Sequence, residues 1–354
     1  MGSMVYIFGA HSRAQTLAAY LQYLYSDIEV EAYLYDNAER NPEIIGEIPV
    51  ICLDKFAKLN TTNSVYIGTR GIYHTQIAEK LKKNGFKEIY PVTVEMDLRL
   101  RNAFLKKYFP EQGKDFLKID MLMENAEAGK EKTSIGTSIT SRVYVVKAVS
   151  DRPLQKQYVL APYEMLIQAG AALTKERLYP GILTDDIGDH ISEKNRQYCE
   201  LTALYWLWKH AREDIIGLVH YRRHFLLPEN WEQIMRNNKV DVILPIPLYV
   251  SPSIAGNYME RHDSSDWEYM MKFLEEQDPR IFQEAENFFK GKLYSPCNMF
   301  VMKREVLNEL CEWLFPILNA VVVNGGEKKD VYQNRYPGFL SERLMTFYFE
   351  RNRN

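Results

Sequence analysis

The chain has 354 residues, more than one hydrophobic core usually holds, so two domains are expected. Hydrophobic residues make up 46% and charged residues 26%, the balance of a soluble globular protein, and a formal net charge of −3 argues against a general nucleic-acid binder. The aromatic share of 13%, with 24 tyrosines, fits carbohydrate handling as well as many unrelated roles, since tyrosine offers a flat apolar face and a polar tip. Cys52, Cys199, Cys297 and Cys311 form no CxxC pair, so zinc and redox motifs are absent and a reduced, cytoplasmic setting is expected. The start "MGSMVYIFGA" lacks the charged and apolar regions of a signal peptide. The longest apolar stretch, "LCEWLFPILNAVVV", is interrupted by Glu312, Pro316 and Asn319 and reads as a buried helix broken near its proline.

In chain order, "MVYIFGA" reads as a buried strand and "SRAQTLAAYLQYLYS" as a helix. "IEVEAYLYD" and "NSVYIGT" are further strands, "GIYHTQIAEKLKKNG" is a helix closed by Gly85, and "KEIYPV" is a fourth strand. This alternation predicts a parallel sheet with helices on its faces over residues 1–110. Gly9 and Asp36 end the first two strands, as in a dinucleotide-binding unit. "GAHSRA", however, has one glycine where that fingerprint has three, which favours a Rossmann-like scaffold without a cofactor. Residues 96–109, "MDLRLRNAFLKKYF", predict a basic amphipathic helix, either a solvated face or a peripheral contact with the inner membrane surface. The stretch 111–141 lacks a sustained period and reads as a linker.

The second domain, 142–354, opens with the strand "RVYVVKAVS" and continues through "YVLAPYEMLIQAGAAL", the acidic loop "DDIGDHIS", the helix "RQYCELTALYWLWKHA" and the strands "DIIGLV", "VDVILPIP" and "NMFVM". The strand "DIIGLV" ends in His220, Tyr221, Arg222, Arg223 and His224. Unpaired buried cations cost several kcal/mol, so an anion is expected there, from a ligand or from internal acids such as Glu200. Asp185, Asp186 and Asp189 surround Gly188, and Ser192 can cap the helix that follows, with Asn195 at its third position. His262 and Asp266 lie four apart on one helix face, with Asp263 or Ser265 as the N-cap. Glu342, in the apolar setting of "GFLSERL", is a natural candidate general base.

"DDIGDHIS…YCELTALYWLWKH", "IIGLVHYRRHF", "YMERHDSSDW", "NMFVM" and "GFLSERL" occur in one order, and together resemble a family of bacterial capsular and exopolysaccharide glycosyltransferases, formerly a domain of unknown function, across residues 142–351. The first domain is similar in fold to the N-terminal module of bacterial sugar acyltransferases. The resemblance implies a GT-A-like α/β domain with a mixed sheet. It implies transfer of a galactosyl or galactofuranosyl unit, with inversion, from a UDP-sugar to a lipid-linked saccharide. It further implies a donor site drawn from His220, Tyr221, Arg222 and Arg223, with Asp186, Asp189, Asn195 and Gly170 beside them. The family's fold usually carries an Asp-x-Asp metal motif; "HYRR" stands here instead. Arginine offers bidentate donors to phosphate, so no divalent metal is expected to be required. Asp266, with His262, is the first choice of base and Glu342 the second. The rival reading is a nucleotide-sugar-binding or regulatory protein without transfer activity.

Overall fold

The computed structural model describes residues 3–36, 41–54, 59–122, 139–154 and 158–353. The chain divides into two compact units, Met1–Leu117 with Val250–Pro252, and Lys118–Tyr249 with Ser253–Asn354. Most of the linker expected over 111–141 falls on 123–138, outside the described residues.

In the first unit, β1 (Ser3–Phe8), β2 (Ile28–Tyr35), β3 (Ile44–Ile45), β4 (Ile48–Cys52), β5 (Ser64–Ile67) and β6 (Ile89–Pro91) form one sheet in the order β3-β4-β2-β1-β5-β6. All its pairings are parallel except the short β3–β4 hairpin. The core places Tyr6, Phe8, Leu34 and Ile67 of the strands against Ile77 and Leu81 of a helix. That helix is α2 (His74–Lys83); α1 (Ser12–Leu24) and α3 (Val94–Glu111) pack on each other, with the Tyr20 and Phe104 rings 5.0 Å apart. The apolar stripe of α3 (Leu100, Phe104, Leu105, Phe109) is therefore buried within its own unit, leaving Arg99, Lys106 and Lys107 on the solvent side. Asp36, at the end of β2, is 3.4 Å from Lys80 Nζ, so this carboxylate already has a cation beside it.

The second unit holds β7 (Ser141–Lys147), β8 (Glu164–Gln168), β9 (Leu183–Thr184), β10 (Ile215–His220), β11 (Val242–Ile243) and β14 (Phe300–Lys303), ordered β11-β14-β10-β7-β8-β9. Strands β12 (Leu248–Tyr249) and β13 (Leu293–Tyr294) form a separate pair. Because β14 runs antiparallel to β10 and β11, and the rest are parallel, the sheet is mixed, as the resemblance implied. At Gly217 a Cβ would meet Val143 at 2.8 Å, so β10 lies close to β7 only because that side chain is missing.

The helices are α4 (Leu201–His210), α5 (Trp231–Asn237), α6 (Ile254–Met259), α7 (Ser264–Gln277), α8 (Pro279–Phe289), α9 (Arg304–Gly325) and α10 (Tyr336–Arg351). Two differ from the sequence reading. The helix expected over 196–211 breaks at Cys199, where φ is 49° and ψ −126°, between a single turn (Asn195–Tyr198) and α4. Conversely, α9 runs unbroken through Pro316. Pro316 and Glu312 both face solvent, so the carbonyl that the proline leaves without a donor is open to water. By length and composition α9 is apolar enough to cross a membrane, yet Leu307, Leu310, Cys311, Leu314 and Leu318 are buried and the helix packs on α4, α7 and α10.

Candidate active site

The sheet order creates a crevice. From β7 the chain steps to β8 and β9 on one side, then returns to place β10 on the other. In open α/β sheets such a switch point, at the carboxyl ends of the strands, is where ligands bind. Here His220 pairs with Val146 in the last register step, and the Tyr221 N–H donates to the Val146 carbonyl at 3.0 Å. The chain then turns sharply, the Arg223 N–H donating back to the His220 carbonyl. This turn presents Arg222 and Arg223 to solvent rather than burying them as expected, so water can solvate both, and neither has an ion pair among the described residues. Lys147 Nζ and the Arg222 guanidinium lie 5.9 and 5.6 Å from the Tyr221 ring centre. Two cations, Lys147 and Arg222, therefore flank one tyrosine where two parallel strands end, and Arg223 follows in the chain.

Opposite stands the turn leading into β14. Cys297 (φ 79°) and Asn298 (φ 48°) both adopt left-handed backbone, an unfavoured state for a residue with a side chain. With Cys199 they make three of the four non-glycine residues with positive φ among the described residues. Such outliers persist where surrounding contacts over-determine them, commonly at functional sites. The contacts are specific. The Cys297 N–H donates to Glu342 Oε1 at 2.8 Å, and Asn298 Nδ2 donates to Glu200 Oε1 at 2.7 Å and to the Gly338 carbonyl at 3.0 Å. His220 Nε2 donates to the Cys297 carbonyl at 2.7 Å and lies 3.8 Å from Glu200 Oε1. The partner of Glu200 is thus Asn298, with His220 close by, rather than Arg222 or Arg223. The break at Cys199 is what turns Glu200 out of a continuous helix toward this cluster.

Glu342 is 17% exposed and sits 3.3 Å from the buried guanidinium of Arg343. Burial pushes its carboxyl above the ordinary value; Arg343 and the Cys297 amide oppose that shift, and the charge of Glu200 adds to it. Ser295, Asn298, Met299, Glu342 and Thr346 line a small pocket. Arg222 and Arg223 are close enough to Cys297 to counter the burial that lifts its thiol to about 11. The Glu342 carboxyl and the charges of the strand-end arginines therefore both act on the strained residue Cys297.

The other expected residues have different surroundings. Asp186 Oδ2 lies 3.1 Å from Arg177, and Asp189 accepts from the Tyr205 hydroxyl at 3.0 Å. Asn195 Nδ2 donates to the Cys199 carbonyl and to Thr202 Oγ1. Gly170 (φ 67°) faces Asn195, whose side chain a Cβ would meet at 2.7 Å. Ser192 does not cap a helix: its hydroxyl donates to the buried Asp185, which also accepts from Thr202 and from the Gly170 and Ala171 amides. Gly170 and Asn195 thus shape the loops beside the crevice. Among the described residues no group of three or more His, Cys, Asp or Glu is arranged to hold a metal ion.

Asp266 is fully buried, with Lys328 Nζ 2.7 Å from Oδ2, while the same Lys328 donates to Asp263 at 2.8 Å. Burial pushes the Asp266 carboxyl above its ordinary value and Lys328 opposes that shift, so its surroundings are those of a buried ion pair. Asp263 does cap α7, accepting from the Ser265 N–H. His262 lies against α10 but not on Glu342. It packs on Phe339, its Nδ1 is 3.1 Å from Gln333 Oε1, and burial lowers its pKa to about 4. Sequence reasoning missed Cys297 and Asn298; a Cys-Asn pair just before a strand, where Asn tolerates left-handed backbone, was the available signal.

Residues 152–353 match the model of a family described as a domain of unknown function, DUF4422, which is more than half of the chain. The chain belongs to the DUF4422 family. No curated protein matches it. Among solved structures, the apo structure of the bifunctional glycosyltransferase WbbM is similar, with 25% sequence identity and a TM-score of 0.51 over 61% of this chain. The match covers 43% of WbbM, so this DUF4422 chain corresponds to less than half of that enzyme's length.

Proposed function

We propose that this DUF4422 protein is a glycosyltransferase. It would move a hexosyl group, galactosyl or galactofuranosyl, from a UDP-sugar to a lipid-linked polysaccharide precursor at the cytoplasmic face of the membrane. The observation that carries the reading is the meeting, around Cys297, of a carboxyl with raised pKa and two exposed arginines that have no ion pair among the described residues. The similarity to WbbM supports the same class of reaction.

In this mechanism Glu342 takes the proton from the acceptor hydroxyl as its oxygen bonds to the anomeric carbon. The bond from that carbon to the diphosphate oxygen breaks, and UDP leaves with the electron pair. Arg222 and Arg223 offer bidentate donors to the developing diphosphate charge. His220 and Asn298 hold the turn that positions Glu342. A carboxyl whose pKa is raised is a better base than an ordinary one, since it binds the abstracted proton more tightly.

Titration calorimetry with UDP, UDP-galactose and UDP-galactofuranose tests the donor, with consumption of the UDP-sugar followed in parallel. Binding at micromolar to millimolar strength is expected. If no uridine, guanosine or thymidine diphosphate binds at all, the glycosyltransferase reading is lost.

A further inference from the structure

Beside Glu342 the surface changes character. Phe339 precedes Glu342 by three residues on α10, so the two share a helix face. The His262 ring stacks on Phe339 at 4.3 Å and 22°, and on Tyr332 at 5.7 Å and 27°; Tyr332 and Phe339 are 5.0 Å apart. The Arg335 guanidinium lies 5.6 Å from the Phe339 ring centre, while its Nε donates to Cys199 Sγ at 3.0 Å. One arginine thus joins this aromatic group to the strained residue next to Glu200. Tyr332 is 54% and Val331 81% exposed.

Large exposed apolar side chains on a loop usually accompany a mobile loop, but this one is fastened at several points. Lys328 pairs with Asp263 and Asp266, and its amide donates to Asn334 Oδ1. Gln333 Nε2 donates to the Arg261 carbonyl, and Gln197 Nε2 donates to Asn334 Oδ1. Tyr332 is held out in a fixed place, which lowers the ordering cost when something binds against it. His262, its pKa near 4, is neutral at physiological pH and adds no charge to the platform.

We infer that Tyr332, Phe339 and His262 form the acceptor subsite, taking a neutral saccharide whose ring lies against the aromatic faces. This rests on the glycosyltransferase reading, since it places the sugar's hydroxyl toward Glu342. A saccharide is the occupant this chemistry fits. Each hexopyranose has a flat patch of C–H groups for the rings, and hydroxyls for the polar edges of Tyr332, Gln333 and Arg335. Phe339 also shares a helix face with Glu342, the proposed base.

The test uses the full chain and a panel of methyl α- and β-hexopyranosides with the matching disaccharides, binding being read by saturation-transfer NMR. The wild type is expected to bind at least one of them. Tyr332→Ala should weaken that binding tenfold or more, whereas Tyr332→Phe, which keeps the ring, should restore most of it. No binding by the wild type across the panel overturns the inference, as does equal binding by Tyr332→Ala with an unchanged melting curve. UDP titration on the same wild-type sample separates the two readings. UDP binding without a Tyr332-dependent saccharide removes the acceptor subsite alone, and absent UDP binding removes the proposed function.

Discussion

The amide of Cys297 donates to Glu342 Oε1 at 2.8 Å, and Cys297 holds that amide in place only by adopting a φ of 79°. A backbone donor cannot rotate away as a side chain can, so the carboxylate is aimed by the fold itself. Glu342→Gln preserves the accepting oxygen and removes the basicity. Transfer should fall about 10²–10⁴-fold, the usual loss for a general base. UDP affinity by calorimetry should hardly change.

The same carboxyl predicts a pH limb. Burial raises its pKa, and only the ionised form accepts a proton, so turnover should rise with pH through a midpoint above that of an ordinary glutamate. A kcat–pH profile whose acid limb lies at or below the usual carboxylate range would contradict the assignment.

Arg222 and Arg223 are exposed and unpaired among the described residues, so removing either should leave the melting temperature nearly unchanged. Replacing a positioned cation at a developing diphosphate should cost on the order of a hundredfold in turnover. Activity of the wild type in excess EDTA is the companion measurement. Loss there, with recovery on adding manganese, would show that a metal shares the role assigned to the arginines.

Asp266→Asn separates a structural role from a catalytic one. Breaking a buried ion pair from one side costs about 3–5 kcal/mol, so a marked drop in melting temperature is expected. At a temperature where the variant is folded, the acid limb of its kcat profile should match the wild type. A lost limb with an unchanged melting temperature would return Asp266 to the base role.

His262 gives a stability signature. Its pKa in the folded chain, about 4, is below the usual 6.5, so the unfolded chain binds more protons between those values. The contribution is full above pH 6.5 and is lost as pH falls toward 4. Glu342, whose folded pKa is raised, acts in the opposite sense, so the variant difference is the informative quantity. The gap between wild type and His262→Phe, from urea melts at pH 7 and pH 4.5, should change by roughly 2 kcal/mol, with the wild type losing more on acidification.

Much of the first sheet was readable, because short apolar strands alternate with amphipathic helices there. The strand carrying "HYRR" was readable as well, since a run of cations closing a buried strand leaves few alternatives. The break at Cys199 was not, because Tyr198, Leu201 and Leu204 keep their helical spacing across it, and nothing local marks the left-handed turn. The enclosure of Asp266 was not readable either, for a related reason. Spacing shows that it shares a face with His262, but not that Lys328, on a later loop, closes over it. Partners distant in sequence decide whether a carboxylate is a base or a brace, and periodicity is silent about them.

The three left-handed non-glycine residues also set the terms on which this protein can be made hardier. Relieving such a conformation with glycine is worth about 1–2 kcal/mol, against roughly 0.5–1 for the extra freedom glycine brings to the unfolded chain. Cys199 and Cys297 therefore stand to gain, and Asn298, already tolerant of the conformation, little. Selection for heat tolerance alone would reach positions 199 and 297 early. Each gain would slacken the turn under a carboxylate, so survivors should run hotter and turn over more slowly, a trade written into the backbone.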